Sequence, residues 1–567
     1  MNDFDVCIVG SGAGGGPVAL SLSQAGYNVL VLEKGPWFTE ADYFKDEMAC
    51  CRKSVYTPKL SDEQHVLEDY NGSDGKGGYK WKATPTSESG QDFWNGNCVG
   101  GSSNFMSGFF YRLKPDDFRL LTVFGPIKGA NIQDWPISYE DLEPYYTLVE
   151  KEVGVSGRVK AHPFSEPRSS KDFPYPSTVE HPVSARIDSA CRQLGYHSLP
   201  TPRAVLPHAI NGRQGCAYSG FCGSYGCSTG AKGSSRAALL NRAVATGKCK
   251  ILAHAKVNRL VADKQGKLVG VEYIDQQGKV INVSAKIYVL ACQAIETSRL
   301  LLLSKSEKFP QGLANNNGQV GKNLVFSAGG SGYGDFTYAG LAKTEKALLK
   351  TRGPFINRGL QDWYFINDKK FGGRVKGGTI DFLLRHPNTM TRANEYKRDD
   401  NDKLIWGSAL KKTLHDGMTA SQTLNYEVFC DWLPTDDCFV SLDTKVKDKW
   451  GMPVAKVRLG YHDHDLRVGE YLSEKAKKVL AQMGAKNISG TVSGSPPPNL
   501  VAGGCRFGND PAATVLDKDC RAHEVKNLFI SDGSFMPTGG SVPYTWTIYA
   551  NAFRVADKIK QQLGKAV

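Results

Sequence analysis

The feature that most constrains this chain is a glycine loop set between a short apolar strand and a helix start. Val6, Ile8 and Val9 run directly into Gly10-Ser11-Gly12-Ala13-Gly14-Gly15. Gly10, Gly12 and Gly15 stand in G-x-G-x-x-G register. The first permits a tight turn, the second lets backbone approach a pyrophosphate, and the third lets the next helix, expected over Pro17 to Ala25, pack on the strand. Phosphates then sit at the positive end of that helix, where free N–H groups point outward. A second apolar strand, Asn28 to Leu32, ends in Glu33, at the distance from the loop where a ribose-binding acid belongs. The loop alone would read as a turn; strand, loop, helix, strand and acid in order predict a dinucleotide site. Near the other end of the chain, Asn527-Leu528-Phe529-Ile530-Ser531-Asp532-Gly533 has the form of a closing segment. Together the two segments predict that both ends of the polypeptide meet at one FAD.

At 567 residues the chain exceeds one ordinary core, which predicts two closely joined domains. It holds no apolar run long enough for a transmembrane helix. Met1-Asn2-Asp3 leads straight into the first strand, which leaves no room for a signal peptide on this chain. The net charge of +13 invites a nucleic-acid reading, yet Lys and Arg are scattered and no RNA-binding signature is present. A basic surface suited to an acidic partner or an anionic membrane face is the expectation instead. Residues 163–176, rich in Pro, Ser and charge, read as a surface excursion.

Most of the 14 Cys lie singly, and Cys7, Cys191, Cys249 and Cys292 read as small core residues. The exception is the loop Cys216-Ala-Tyr-Ser-Gly-Phe-Cys222-Gly-Ser-Tyr-Gly-Cys227. Its Gly-rich backbone would let three thiolates converge on an iron-sulfur cluster. Spacing alone equally allows one disulfide with a spare thiol, or three free thiols.

Three further segments carry a family resemblance. Asn97-Cys98-Val99-Gly100-Gly101-Ser102-Ser103-Asn104, Tyr288-Val289-Leu290-Ala291-Cys292-Gln293-Ala294-Ile295-Glu296-Thr297 and Gly503-Gly504-Cys505-Arg506-Phe507-Gly508 resemble, in order, the glucose-methanol-choline (GMC) oxidoreductases. Asp134-Trp135-Pro136-Ile137, Asp141-Leu142-Glu143-Pro144-Tyr145-Tyr146 and the Cys loop look most like the large flavoprotein subunits of bacterial FAD-dependent glucose, fructose and gluconate dehydrogenases. The resemblance implies a [3Fe-4S] cluster on Cys216, Cys222 and Cys227, although the last spacing is one residue longer than in some relatives. It also implies a small partner subunit and a cytochrome or other electron carrier, with peripheral membrane association through that partner. The chain is then cytoplasmic, or periplasmic if exported with the partner.

Carried over residue by residue, the resemblance puts Gly10, Gly12 and Gly15 on the FAD pyrophosphate and Glu33 on the adenosine ribose. Gly100, Gly101, Ser102 and Asn104 would lie along the flavin, Val257 at the adenine, and Asp532 and Gly533 over the ribityl and pyrophosphate. Asp532 could equally be a turn or helix-cap acid. The FAD is expected to be noncovalent, with Cys98 the one residue placed for a covalent link.

The proton chemistry departs from the family. Leu500 stands where the family carries its catalytic His, and Pro543 where it carries an Asn or His. Neither side chain moves a proton. Tyr544, Asn499, or a residue from elsewhere in the fold supporting a water could substitute, and Tyr544 would need a cation such as Arg506 to ionise.

The fold class implied is α/β, a Rossmann-like FAD-binding domain with an interleaved antiparallel-sheet substrate domain. Residues 1–330 would be mainly FAD domain, with inserted substrate-domain segments and the Cys loop 216–227. Residues 331–495 would be mainly substrate domain, where Tyr426 to Cys430 and Phe439 to Leu442 alternate as strands. Residues 346–401 read as charged loops over the pocket or facing a partner, and 496–567 would return to the FAD domain. The leading functional expectation is dehydrogenation of a sugar, polyol or related carbinol by hydride transfer to flavin N5. A flavoprotein with non-alcohol chemistry or an electron-transfer role, and a noncatalytic binding or scaffolding subunit, are the alternatives.

Overall fold

The computed structural model describes residues 4–47, 63–73, 79–90, 93, 96–210, 212–384, 389–399, 401–495 and 500–564. Asn499 lies outside the described residues. The core of the larger unit is a five-stranded parallel sheet in the order Leu528–Ile530, Ala285–Leu290, Phe4–Val9, Val29–Leu32, Cys249–Leu252. The first four of these strands are near-continuous runs of buried apolar residues, as a parallel sheet covered on both faces requires, while the edge strand Cys249–Leu252 is only partly buried. The helix Gly15–Gln24 packs against the last helix, Thr545–Gln562. The two ends of the chain therefore share one core.

The second unit is a six-stranded antiparallel sheet in the order Lys486–Thr491, Ser331–Thr337, Ser421–Cys430, Gly378–Leu384, Arg358–Leu360, Ser198–Pro200. Along Ser421–Cys430 the period of two is plain. Leu424, Tyr426 and Val428 enter a core shared with Leu472, Ala476 and Val479 of the helix Asp463–Gln482, and Asn425, Glu427 and Phe429 face a cavity.

Two sequence expectations are corrected. Phe439 to Leu442 does form strand, within Cys438–Lys447, but that strand pairs with Pro453–Leu459 in a separate four-stranded sheet with Val66–Ser73 and Tyr79–Pro85. Its apolar face, with Val440, Val457 and Leu459, packs with Ile295 of the helix Ala294–Leu303 instead of the substrate-side core. Residues 346–401 are not mainly loop: they supply Arg358–Leu360 and Gly378–Leu384 to the six-stranded sheet, because Ile380 and Phe382 have a core to enter. No helix among the described residues is long and apolar enough to cross a membrane.

Candidate active site

The glycine loop has the conformation its spacing predicts. Gly10 has φ +95°, and a Cβ there would stand 2.3 Å from the Ala291 carbonyl oxygen. A Cβ on Gly15 would stand 2.1 Å from the Gly10 carbonyl, so the third glycine lets the helix close on the turn. At Gly12 a Cβ would meet only the Gly101 Cα, 4.0 Å away, which leaves space in front of the loop. Gly14 lies against the chain's far end: its carbonyl accepts from Ser531 Oγ at 3.0 Å, and a Cβ would reach the Asp532 nitrogen at 2.8 Å.

Ser11, which sequence reasoning passed over, joins three segments. Its N–H and hydroxyl donate to Glu33 Oε2 at 3.2 and 2.6 Å. Its hydroxyl accepts from the Gly100 N–H at 2.9 Å, and its carbonyl accepts from Ser235 Oγ at 2.7 Å. Gly35 N–H donates to Glu33 Oε1 at 3.0 Å. Burial raises the Glu33 pKa, against which the Ser11 and Gly35 bonds act.

A cavity of about 550 Å³ lies in front of this loop. Of the residues assigned from the sequence, Gly10, Gly12, Glu33, Gly101, Ser102, Val257, Asp532 and Gly533 line it, as do Leu500, Pro543 and Tyr544. Gly15, Gly100 and Asn104 stand behind the wall. The Asn104 amide donates to the Val99 and Gly101 carbonyls at 3.0 and 3.1 Å, so this side chain shapes the loop instead of facing the cavity. Asp532 caps the short helix Gly533–Phe535, accepting from Ser534 N–H at 2.9 Å, and also accepts from the Thr297 hydroxyl. Cap and cavity wall are thus the same residue. Cys98 is fully buried, accepts from the Asn104 amide at 3.4 Å, and is not among the residues that line the cavity.

Tyr544 and Arg506 do not form the pair considered from the sequence. The Tyr544 hydroxyl donates to the Leu500 carbonyl, and burial, helped by Asp431, holds its pKa well above the ordinary phenol range. Arg506 donates to the Asn131 carbonyl at 2.8 Å and is not among the residues of the cavity wall, so it does not favour a phenolate at Tyr544. Leu500 itself holds φ +54°, a left-handed conformation uncommon for a non-glycine residue.

Facing these residues across the domain boundary are Leu383, Asn425, Glu427 and Phe429. Glu427 is the ionisable side chain that sequence reasoning missed; alternation marked it only as one residue of a strand face. Burial, reinforced by Asp381 directly opposite on the neighbouring strand, pushes its pKa up to about 7. Asp381 accepts from the Tyr111 hydroxyl at 2.6 Å and from Thr201 at 3.1 Å, and burial pushes it up to about 6. The buried Arg203 guanidinium opposes both shifts.

Cys216, Cys222 and Cys227 line a second cavity of about 40 Å³, and all three are free thiols. The disulfide alternative is therefore not what the loop adopts. The three sulfurs do not all lie within 4.8 Å of one another, whereas among the described residues the ligand atoms of His162, His197 and Asp362 do. Burial works against the Cys227 thiolate, but Lys232 and Thr229 hold its pKa below the ordinary value. Burial pushes the Cys216 thiol up to about 11. Ser224 of the same loop lines the large cavity and donates its N–H to the Phe105 carbonyl at 2.8 Å, so this loop forms part of the wall of both cavities.

Comparison with known proteins agrees with this geometry. The two GMC oxidoreductase family models match residues 175–327 and 434–552. The chain is 31% identical to 2-methyl-1,2-propanediol dehydrogenase of Mycolicibacterium austroafricanum, covering 99% of this chain and 96% of that protein. It is 25% identical to the gluconate 2-dehydrogenase flavoprotein of Pantoea cypripedii, covering 99% and 94%. Among solved structures, formate oxidase of Aspergillus oryzae RIB40 superposes with TM-score 0.63 at 14% identity, over 99% of each chain. Pyridoxine 4-oxidase from Mesorbium loti gives 0.59 at 17%, over 98% of this chain and 99% of that one. A glycine loop closed by the opposite end of the chain, a parallel sheet, and full-length similarity at this level place the protein in one family: it is a GMC oxidoreductase, with FAD as the cofactor that family binds.

Proposed function

We propose that this chain is a dehydrogenase of CH–OH donors, oxidising a carbinol of a sugar, polyol or smaller diol and passing electrons onward. The observation that carries this reading is the single cavity shared by the glycine loop and the inner face of the antiparallel sheet. The cradle fits FAD: Gly12 leaves backbone room for a pyrophosphate in a turn that Gly10 permits, Glu33 and Val257 would hold the adenosine, and Gly101, Ser102 and Gly533 complete the wall. When bound, FAD accepts a hydride and can release electrons singly. The chain's own task is to orient the carbinol between Leu500, Tyr544 and the Asn425–Phe429 strand face, exclude water, and accept the hydroxyl proton. A diol substrate is supported by the similarity to 2-methyl-1,2-propanediol dehydrogenase, and an apolar Leu500 and Pro543 suit a ligand with few hydroxyls.

Acid precipitation of the purified yellow protein should release FAD into the supernatant, and anaerobic mixing with 2-methyl-1,2-propanediol, gluconate or fructose should bleach the flavin. Colourless protein, or bound NAD, rules out the cofactor reading. Stoichiometric FAD that none of these alcohols bleaches shifts the balance to flavin chemistry on another donor or to electron transfer.

The same proposal includes a [3Fe-4S] cluster on Cys216, Cys222 and Cys227, supported by three free thiols around one cavity. A cytochrome or other carrier would dock near this loop, with a small subunit alongside; either cytoplasm or periplasm accommodates such an assembly. Anaerobic preparations should contain about three iron per chain, and Cys222→Ser should lose iron while keeping FAD. Iron-free protein with full alcohol-dependent flavin reduction removes the cluster from the scheme.

A further inference from the structure

We propose that Glu427 takes the substrate hydroxyl proton, the role that Leu500 and Pro543 leave unfilled; this rests on the alcohol reading above. The geometry carries it by elimination among the ionisable side chains that line the cavity. Glu33 is held by Ser11 and Gly35. Glu296 pairs with Arg299 at 3.1 Å and meets His65 at 3.0 Å. Lys34 pairs with Glu63, and Lys256 and Arg299 pair with Asp448. Asp532 is spent on Ser534 and Thr297, and the Tyr544 hydroxyl on the Leu500 carbonyl. Cys292 Sγ donates to the Val9 carbonyl at 3.3 Å, and burial pushes its pKa far up. Glu427 is left as the cavity acid whose carboxyl has no hydrogen-bond or ion-pair partner among the described residues.

Its setting suits the task. The strand Gly378–Leu384 places Asp381 opposite it, the strand Ser331–Thr337 places Ser331 opposite it on the other side, and Arg203 supplies the nearby positive charge. Burial beside a like charge brings the carboxyl to about 7, where a base is ionised near neutral pH yet still binds a proton strongly. In the reaction the carbinol O–H bond breaks and its proton passes to a Glu427 carboxylate oxygen. Bound FAD would supply the two-electron acceptor for the C–H hydride, so that loss of one proton and one hydride leaves the carbon as a carbonyl. Asp381 acts through Glu427 as a positioning residue, since its charge raises the neighbour's proton affinity.

Glu427→Gln should keep full FAD content and lower the rate of flavin reduction by 2-methyl-1,2-propanediol at pH 8 by at least about 100-fold. The wild-type rate should rise through about pH 7, and Asp381→Asn should move that limb to lower pH. A second readout needs no turnover. The folded state holds the Glu427 proton over a window in which the unfolded chain releases it, so stability falls as pH rises from the ordinary carboxylate range to about 7. The melting midpoint of Glu427→Gln holoprotein should therefore fall less than wild type between pH 5 and about 7.5. Reduction within threefold of wild type overturns the proposal, and so does an unchanged pH slope. So does loss of the pH-dependent limb in Tyr544→Phe but not in Glu427→Gln, which makes the phenol the base. A wild-type flavin that no alcohol bleaches overturns the alcohol reading and this assignment with it, whereas a normal Glu427→Gln rate overturns the assignment alone.

Discussion

Gly12→Ala is expected to yield a folded protein that has lost at least nine-tenths of its FAD, whereas Gly10→Ala is expected to damage the fold itself. The two glycines sit two residues apart in the same loop and differ in what a methyl group would strike. At Gly10 the new Cβ would stand 2.3 Å from the Ala291 carbonyl, at φ +95°. Overpacking there costs about 1–3 kcal/mol and the left-handed backbone a further 1–2 kcal/mol or so. At Gly12 the only neighbour among the described residues is the Gly101 Cα at 4.0 Å, an ordinary contact. The added methyl occupies instead the space through which backbone would approach a pyrophosphate. The comparison is made on apoprotein melting and on the ratio of flavin to protein absorbance. Gly12→Ala with one FAD per chain would show that the phosphates lie elsewhere.

Arg112→Met should cost about 3–5 kcal/mol, because it leaves part of a buried charge cluster without its counterion. Arg112 is 1% exposed and donates to Glu143 at 2.8 Å and to Glu150 at 2.7 Å, while its guanidinium lies 5.3 Å from the Trp546 ring. Glu150 is as buried and, among the described residues, retains only Arg168, at 2.6 Å. With an unfolding entropy of about 2.1 cal/mol/K per residue over 567 residues, the loss lowers the melting midpoint by roughly 3–4 °C if the chain unfolds as one unit. Adding Glu150→Gln should restore part of it, since an amide costs less to bury than an unpaired carboxylate. The segment holding Arg112 also carries Phe109, in the cavity wall, and Tyr111, on Asp381, so flavin retention should weaken in parallel. A midpoint within 1 °C of wild type would mean that Arg168 alone satisfies the cluster.

What the sequence made legible was local. Gly10 and Gly15 could be read because a left-handed turn and a close helix approach each demand glycine at a fixed offset. Leu500 and Pro543 read as departures from the family pattern because both stand beside fixed motifs; their place in the cavity wall is what the structure adds. Glu427 could not be read as chemistry, because a Glu on an alternating strand looks like any outward polar residue. Its character comes from Asp381 on another strand and from a cavity wall built by a second domain. Arg506, named as one cation that could serve Tyr544, donates to the Asn131 carbonyl instead, a partner that the sequence order does not reveal. Cys438–Lys447 showed the right period but not the right sheet, because alternation says that one face is buried and not what buries it.

The parallel sheet draws its strands from residues 4–9, 29–32, 249–252, 285–290 and 528–530, and its first helix rests on its last. During synthesis the amino-terminal strand must therefore wait for nearly the entire chain before its sheet and helical cover are complete. Until then the apolar strands are exposed to misassembly, and no earlier stage of the nascent polypeptide presents a finished cradle. Thr545 and Ile548 of the last helix line the cavity, so the cofactor wall is complete only once Thr545–Gln562 has closed on Gly15–Gln24.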